Sequence, residues 1–378
     1  MKLQPVKVPH WVRGRESAKM IEPYEKPLNI LGLGSSVATP AGGITAPVVV
    51  VGSFEELETL GQAKVKGKIV VYDVEWKGYG ATNVFRTAGA SRAAKLGAVA
   101  SIVRSMTGSS LYTPHTGNQT YDAGVPQIPA AAITVEETAL MRRLVEAGQN
   151  VQVHLEMEAK MLPDADSANV MGEITGRERP DEVVVLGGHI DSWDVGQGAH
   201  DDGGGIVAAW QAVALMKQLG LRPRRTVRVV GWTNEENGAR GGATYRTALG
   251  DDVKKHIAAI EMDGGAERPT GFGFSITGVE PNTPGNDAAK QKLQQIAKLL
   301  EAIGANNISN GGGGTDIAPL GQAGVPLLGL QTTGEHYFDW HHTNSDTLDK
   351  VNPQDLRKCI ATLAVMAYIL ADMPEPLR

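Results

Sequence analysis

The strongest constraint on how this chain can fold is a strand and helix rhythm that sharpens after a polar break at Leu162–Asp166. Apolar, β-branched runs at Val183–Gly187, Thr226–Trp232, Ile257–Met262 and Val325–Leu330 alternate with helical spacing at Ile206–Leu219, Ala288–Ile303 and Leu356–Ala371. Strands apolar along their whole length need cover on both faces, and the intervening helices supply it. The pattern therefore predicts an α/β fold with a doubly wound, mostly parallel sheet. Before the break the alternation is built from shorter pieces. Leu28–Leu33, Ala46–Val51, Gly67–Val74 and Ala98–Val103 read as strands, and Phe54–Leu60, Asn83–Lys95 and Glu136–Ala147 as helices. The expected organisation is a smaller α/β domain over 27–160 and a larger domain over 161–378. An N-terminal segment, 1–26, is expected to pack back onto the larger domain. Thr107–Pro126 has no period and reads as a long loop of the kind found at binding faces.

Composition removes several function classes. The chain holds 46 glycines in 378 residues, without a Gly-X-Y period and beside a 42% hydrophobic fraction, so neither collagen nor a disordered chain fits. More than half of those glycines fall between Gly187 and His342. A net charge of -6 and a pI near 5.9 provide no electrostatic footprint for nucleic acid or anionic membranes. The single cysteine, Cys359, permits neither an intrachain disulfide nor a cysteine-based zinc site, so a metal would have to be held by His and carboxylates. No apolar run reaches the ~18 residues a membrane span needs. The N-terminus lacks the apolar core of a signal peptide, which leaves a cytoplasmic product and a chain trimmed of an upstream leader both open.

In open α/β sheets ligands bind outside the carboxyl ends of the strands. Here those ends carry chemistry. VVVLGG runs into His189-Ile190-Asp191, TVRVVGW into Thr233-Asn234-Glu235-Glu236, IAAIEM into Asp263, and the chain after VPLLGL reaches His341-His342. Taken singly, each has an ordinary explanation: a structural histidine, a helix cap at Asp201 or Asp202, a solvated Glu-Glu turn. Together with the Gly198–Gly203 turn they form one set. His189, Asp201, Glu236, Asp263 and His342 supply five ligands, one too many for a closed zinc site and too few for two separate ones unless a carboxylate bridges, for which Asp201 is placed. Two divalent ions would balance three carboxylates and a hydroxide, which limits the cost of burying the cluster. Such a centre implies a hydrolase using a two-metal-activated water. Glu235, beside the ligand Glu236, is placed as general base. Asp191, two residues after His189 in extended chain, is expected to face the imidazole and orient it.

GGHIDSWDVGQGAHDDGGG, WTNEENGARGG, EMDGG and HHTNSDT resemble, in order and spacing, the co-catalytic zinc exopeptidases. That family includes bacterial aminopeptidases, glutamate carboxypeptidase and the transferrin-receptor ectodomain. The resemblance covers essentially the whole chain and is strongest from Val183 to Met373. It implies that His189, Asp201 and Asp263 hold one zinc and that Asp201, Glu236 and His342 hold the other. Glu235 is then the general base, Asp191 its support, and His342 rather than His341 the ligand. It also implies that the smaller domain is protease-associated-like, that the enzyme acts as a homodimer, and that it is secreted or periplasmic if a leader was removed. The oxyanion donor near Asn310–Asp316 stays unassigned.

The substrate implied is a dipeptide or short peptide. Only Arg240 offers a cation near a strand end, so recognition of a free N-terminus is expected, with a carboxypeptidase reading a free C-terminus as the alternative. A non-catalytic receptor on the same fold is the alternative from another class. Nucleophilic catalysis is disfavoured, because no G-x-S-x-G occurs and Cys359 sits in an apolar helical stretch.

Overall fold

The computed structural model describes residues 1–281 and 283–377. In chain order the first strands are β1 (Lys2–Val12), β2 (Glu16–Glu22), β3 (Lys26–Leu28), β4 (Ile30–Gly32), β5 (Ile44–Val51), β6 (Ile69–Tyr72), β7 (Ala100–Arg104) and β8 (Ala130–Ile133). They are followed by β9 (Gln152–Met157), β10 (Lys160–Ile174), β11 (Arg179–His189), β12 (Arg225–Trp232), β13 (His256–Glu261), β14 (Pro269–Ser275), β15 (Asn307–Asn310) and β16 (Leu327–Thr332). The chain divides into two compact units. The larger comprises Met1–Val8, Ala165–Tyr337 and Asp346–Arg378, and the smaller Pro9–Asp164 with Phe338–Ser345.

The larger unit is built on the sheet β1-β10-β12-β11-β13-β16-β14-β15. Its four central strands, β12, β11, β13 and β16, are mutually parallel. Toward the edges β10 and β14 run antiparallel to their inner neighbours. The side chains of β11 show why both faces need cover. Val184 and Leu186 enter one apolar cluster with Val227, Ile260 and the helices Gly204–Gln218 and Pro353–Asp372. Val183 and Val185 enter another with Val230, Trp232 and Leu320. Each such fully buried aliphatic side chain contributes about 1.5–3 kcal/mol. Cys359 lies in the first cluster, where burial pushes its thiol up to about 12, the behaviour of an inert core residue.

The register decides where chemistry can occur. His189 at the end of β11 pairs with Trp232 at the end of β12, and Gly187 pairs with Glu261 at the end of β13. Three neighbouring strands, about 4.8 Å apart, thus deliver their following turns to one edge of the sheet.

The smaller unit carries the sheet β3-β2-β9-β5-β6-β7-β8-β4, with β5 through β8 parallel. Helices Phe54–Val65, Val84–Lys95 and Val135–Glu146 lie where helical spacing was expected. The polar stretch Leu162–Asp166 holds the change of unit, between Asp164 and Ala165, and runs within β10, whose outer half is largely exposed and whose pairing with β12 begins only at Val170. One boundary differs from the sequence reading. The segment 1–26 is divided: Met1–Val8 groups with the larger unit, whereas β2 pairs with β9 and buries Ala18 and Met20 in the smaller one.

One buried base sets a pH response. The His256 ring is buried and shares a 2.9 Å hydrogen bond with the Tyr245 hydroxyl. Burial, reinforced by Arg228, pushes its pKa down to about 4. The unfolded imidazole takes up its proton near pH 6.5. This contribution to stability is therefore complete above about pH 6.5 and is lost as pH falls toward 4, at about 1.4 kcal/mol per pH unit. Denaturant unfolding between pH 4 and 6.5 should show a shallower slope for His256→Gln than for wild type. Identical slopes would contradict the assignment.

Candidate metal centre

The centre is built on the larger unit from four turns. His189 closes β11 with its imidazole buried, and its Nδ1–H donates to the Asp191 main-chain carbonyl at 2.8 Å. That bond fixes the tautomer and turns Nε2 toward two carboxylates, Asp201 at 3.2 Å and Asp263 at 3.4 Å. Burial alone would lower the His189 pKa, but hydrogen bonding to Asp201 and Asp263 raises it well above the ordinary imidazole value.

The turn holding Asp201 is fixed from three sides. Asp346 accepts from the backbone N–H of His200 at 2.7 Å and of Asp201 at 3.1 Å. The Asp201–Asp202 peptide is cis. Asp202 is fully buried, and its two oxygens accept from the backbone N–H of His189 (3.0 Å) and Gly205 (3.1 Å), so it ties the end of β11 to the start of the next helix. Glycine is required at both flanks, since a Cβ at Gly188 or Gly205 would stand 2.1 Å from an Asp202 oxygen. The glycine excess between Gly187 and His342 has its physical reason in such close approaches.

The turn after β12 carries Glu235 and Glu236. Asp191 was expected to orient the His189 imidazole through its carboxylate. It does not, because the chain bends at Ile190 and the extended alternation stops there. Asp191 Oδ1 lies 3.9 Å from His189 Nδ1, and the carboxylate instead accepts from the N–H groups of Glu235 (3.1 Å) and Glu236 (3.3 Å). Asp191 thus anchors the Glu-Glu turn, while its main-chain carbonyl orients the imidazole. Trp193 Nε1 donates to Glu236 Oε2 at 2.7 Å. Glu235 is partly buried and is pushed upward in pKa by burial and by Glu236.

The fourth turn follows β13. Burial, with Asp201 and Glu235 adding, pushes Asp263 up to about 6. Burial and Asp263 push Glu261 up to about 8, although it accepts from the N–H of Ile317 at 2.9 Å. Asp316 is buried with neither side-chain oxygen hydrogen-bonded, and burial together with Glu261 raises it well above the carboxylate range. The sequence reading offered Asp202 only as a helix cap and assigned no role to Glu261, Thr315, Asp316 or Asp346. The one available signal was that Thr315 and Asp316 directly follow the glycine run Gly311–Gly314.

Donor atoms of His189, Asp201 and Glu236 lie within 4.8 Å of one another, as do those of His189, Asp202 and Asp263. An imidazole among carboxylates, of which burial drives Asp202 and Asp263 upward in pKa, is a donor set short of positive charge. Its oxygen and nitrogen chemistry suits zinc. Of the two aspartates, Asp202 is committed to backbone donors, whereas the Asp201 carboxylate faces His189 Nε2 at 3.2 Å.

His342 stands on 338–345, which groups with the smaller unit. There its Nδ1 lies 3.1 Å from the Thr116 carbonyl, and its backbone has φ 60°.

Comparisons with known proteins identify the family and the fold. The pattern of Peptidase family M28 matches residues 169–367 and that of the PA domain residues 44–141. Carboxypeptidase Q of Mus musculus is 46% identical over 99% of this chain and 78% of its own length. The Homo sapiens protein of that name is 44% identical over 99% of this chain and 77% of its own length. Among solved structures, a Peptidase M28 precursor from Shewanella amazonensis SB2B superposes with a TM-score of 0.93 at 35% identity, covering 100% of this chain and 85% of that one. A zinc aminopeptidase from Bacillus subtilis, at 18% identity and a TM-score of 0.69, covers 99% of this chain and 85% of its own and shares the fold.

Asp191→Ala should release the Glu235–Glu236 turn while leaving the His189 tautomer in place. The expected loss in kcat is about 10–100-fold with unchanged circular dichroism. Wild-type turnover would refute the anchoring role.

Proposed function

The chain belongs to peptidase family M28, with a PA domain ahead of its peptidase domain, and from that premise we propose that it hydrolyses dipeptides and short peptides at a two-zinc centre. It is a metallo-exopeptidase, and a hydrolase by chemistry. The observation that carries the site assignment is His189 Nε2 between Asp201 and Asp263, at 3.2 and 3.4 Å. In this reading His189, Asp201 and Asp263 hold one zinc, Asp201, Glu236 and His342 hold the other, and Asp201 bridges. Two zinc ions per chain and a homodimer belong to the same proposal. Bound there, zinc supplies Lewis acidity that lowers the pKa of water and stabilises charge on the scissile carbonyl.

The remaining chemistry falls to the chain itself. Glu235 accepts a proton from the attacking water and returns it to the leaving amine as the C–N bond breaks. Burial raises its pKa toward neutrality, which suits a group that must both take and give a proton. Asp191 holds the main chain beneath the carboxylate. The carboxylate-rich surroundings, with Asp316 unpartnered, favour an α-ammonium and hence recognition of a free N-terminus. A free C-terminus is the second reading, favoured by the carboxypeptidase names of the relatives.

Glu235→Ala should retain the zinc content of wild type by elemental mass spectrometry while kcat falls by about 100- to 10,000-fold. Loss of metal would make Glu235 a ligand rather than the base. N-acetylated dipeptides should resist cleavage and C-amidated ones should be cut; the reverse pattern would assign recognition to the C-terminus.

A further inference from the structure

In the smaller unit, the surroundings of the buried His342 are more built than an exposed loop requires. Thr116 and His342 are joined twice: the Thr116 N–H donates to the His342 carbonyl at 3.1 Å, and the His342 Nδ1–H donates back to the Thr116 carbonyl at 3.1 Å. This pair closes around a histidine whose φ of 60° lies in the left-handed region that non-glycine residues rarely adopt. Thr116 is itself pinned, its hydroxyl donating to the Gly32 carbonyl at 2.7 Å.

Behind the pair lies Arg86, buried at 5% exposure on the helix Val84–Lys95. Its Nη1 donates to the same Thr116 carbonyl at 3.3 Å and stands 3.5 Å from His342 Nδ1. Its Nη2 donates to the Tyr79 hydroxyl at 2.6 Å, and its Nε has no hydrogen-bond partner. The guanidinium occupies the space a side chain would need at Gly117, where a Cβ would stand 2.3 Å from Nη1 and φ is 140°. Among the described residues no carboxylate pairs with Arg86. A guanidinium sequestered from water without an acid is an expensive arrangement for packing alone.

We propose that Arg86 is a positioning residue for His342: by holding the Thr116 carbonyl against Nδ1 it fixes the imidazole tautomer and rotamer that present Nε2 as a metal donor. The proposal rests on the reading of His342 as the fifth zinc ligand. It gives the smaller unit a positioning task, since the segment that carries His342 and the helix that carries Arg86 both belong to it. Two donors, Arg86 Nη1–H and His342 Nδ1–H, converge on the Thr116 carbonyl. Loss of Arg86 removes one of the bonds that hold that carbonyl in place. A lysine there keeps the charge but cannot span both the Thr116 carbonyl and the Tyr79 hydroxyl.

The test is zinc titration of the chelator-stripped full chain, comparing wild type, Arg86→Met, Arg86→Lys, Gly117→Ala and His342→Ala, with thermal unfolding run alongside. The proposal expects His342→Ala to lose one of two zinc equivalents. It expects Arg86→Met and Gly117→Ala to weaken one equivalent by about 10–100-fold while the other is unchanged, with Arg86→Lys between them and wild type. Gly117→Ala leaves Arg86 in the chain but displaces it, so the same result there excludes simple loss of a buried side chain. One zinc lost in His342→Ala with both retained at wild-type affinity in Arg86→Met and Gly117→Ala would overturn the proposal and leave the reading of His342 intact. Two zinc ions retained in His342→Ala would overturn that reading and the proposal with it.

Discussion

Everything at the candidate centre depends on one electrostatic constraint: an imidazole and several carboxylates are forced together at the ends of three adjacent parallel strands. His189 stands within 3.4 Å of both Asp201 and Asp263, while Glu261 and Asp316 crowd in behind them. Each added buried carboxylate raises the pKa of the others, and the raised His189 pKa is the counterpart response. A cation relieves the whole set at once. The fold can hold such a cluster because β11, β12 and β13 are buried on both faces, so their ends do not yield when the side chains repel.

Around that cluster a ring of backbone bonds does the aiming. Asp346 holds the Asp201 turn, Asp202 ties His189 to the next helix, Asp191 holds the Glu235–Glu236 turn, and Glu261 receives the chain at Ile317. Four carboxylates are spent on main-chain N–H groups. Acidic residues in this region therefore divide into those facing the site and those that position its turns, a division set by whether a backbone donor lies within reach. Glycines at 188 and 205 serve the second group by admitting a carboxylate against the main chain.

The central strands, their helices and the ordering of site residues at strand ends were legible because a strand buried on both faces writes itself as an unbroken apolar run. The edge strands were not. β14 and β15 are short or glycine-rich, and β10 is exposed over its outer half, so polar residues at 164 and 166 read as a break. Ligand candidates were legible as a set because they recur after consecutive strands. The role of Asp191 was misread because a single bend at Ile190 cancels the two-residue periodicity. Thr315, Asp316 and Arg86 were invisible for a different reason: they come from loops or helices distant in sequence from the residues they touch. No spacing rule links position 86 to position 342.

Calorimetric titration of zinc into the chelator-stripped protein near neutral pH decides whether two divalent cations complete this cluster, because His189, Asp201, Glu236 and Asp263 bring their donor atoms together there. Two tight equivalents per chain are expected; fewer than two would overturn the two-metal proposal.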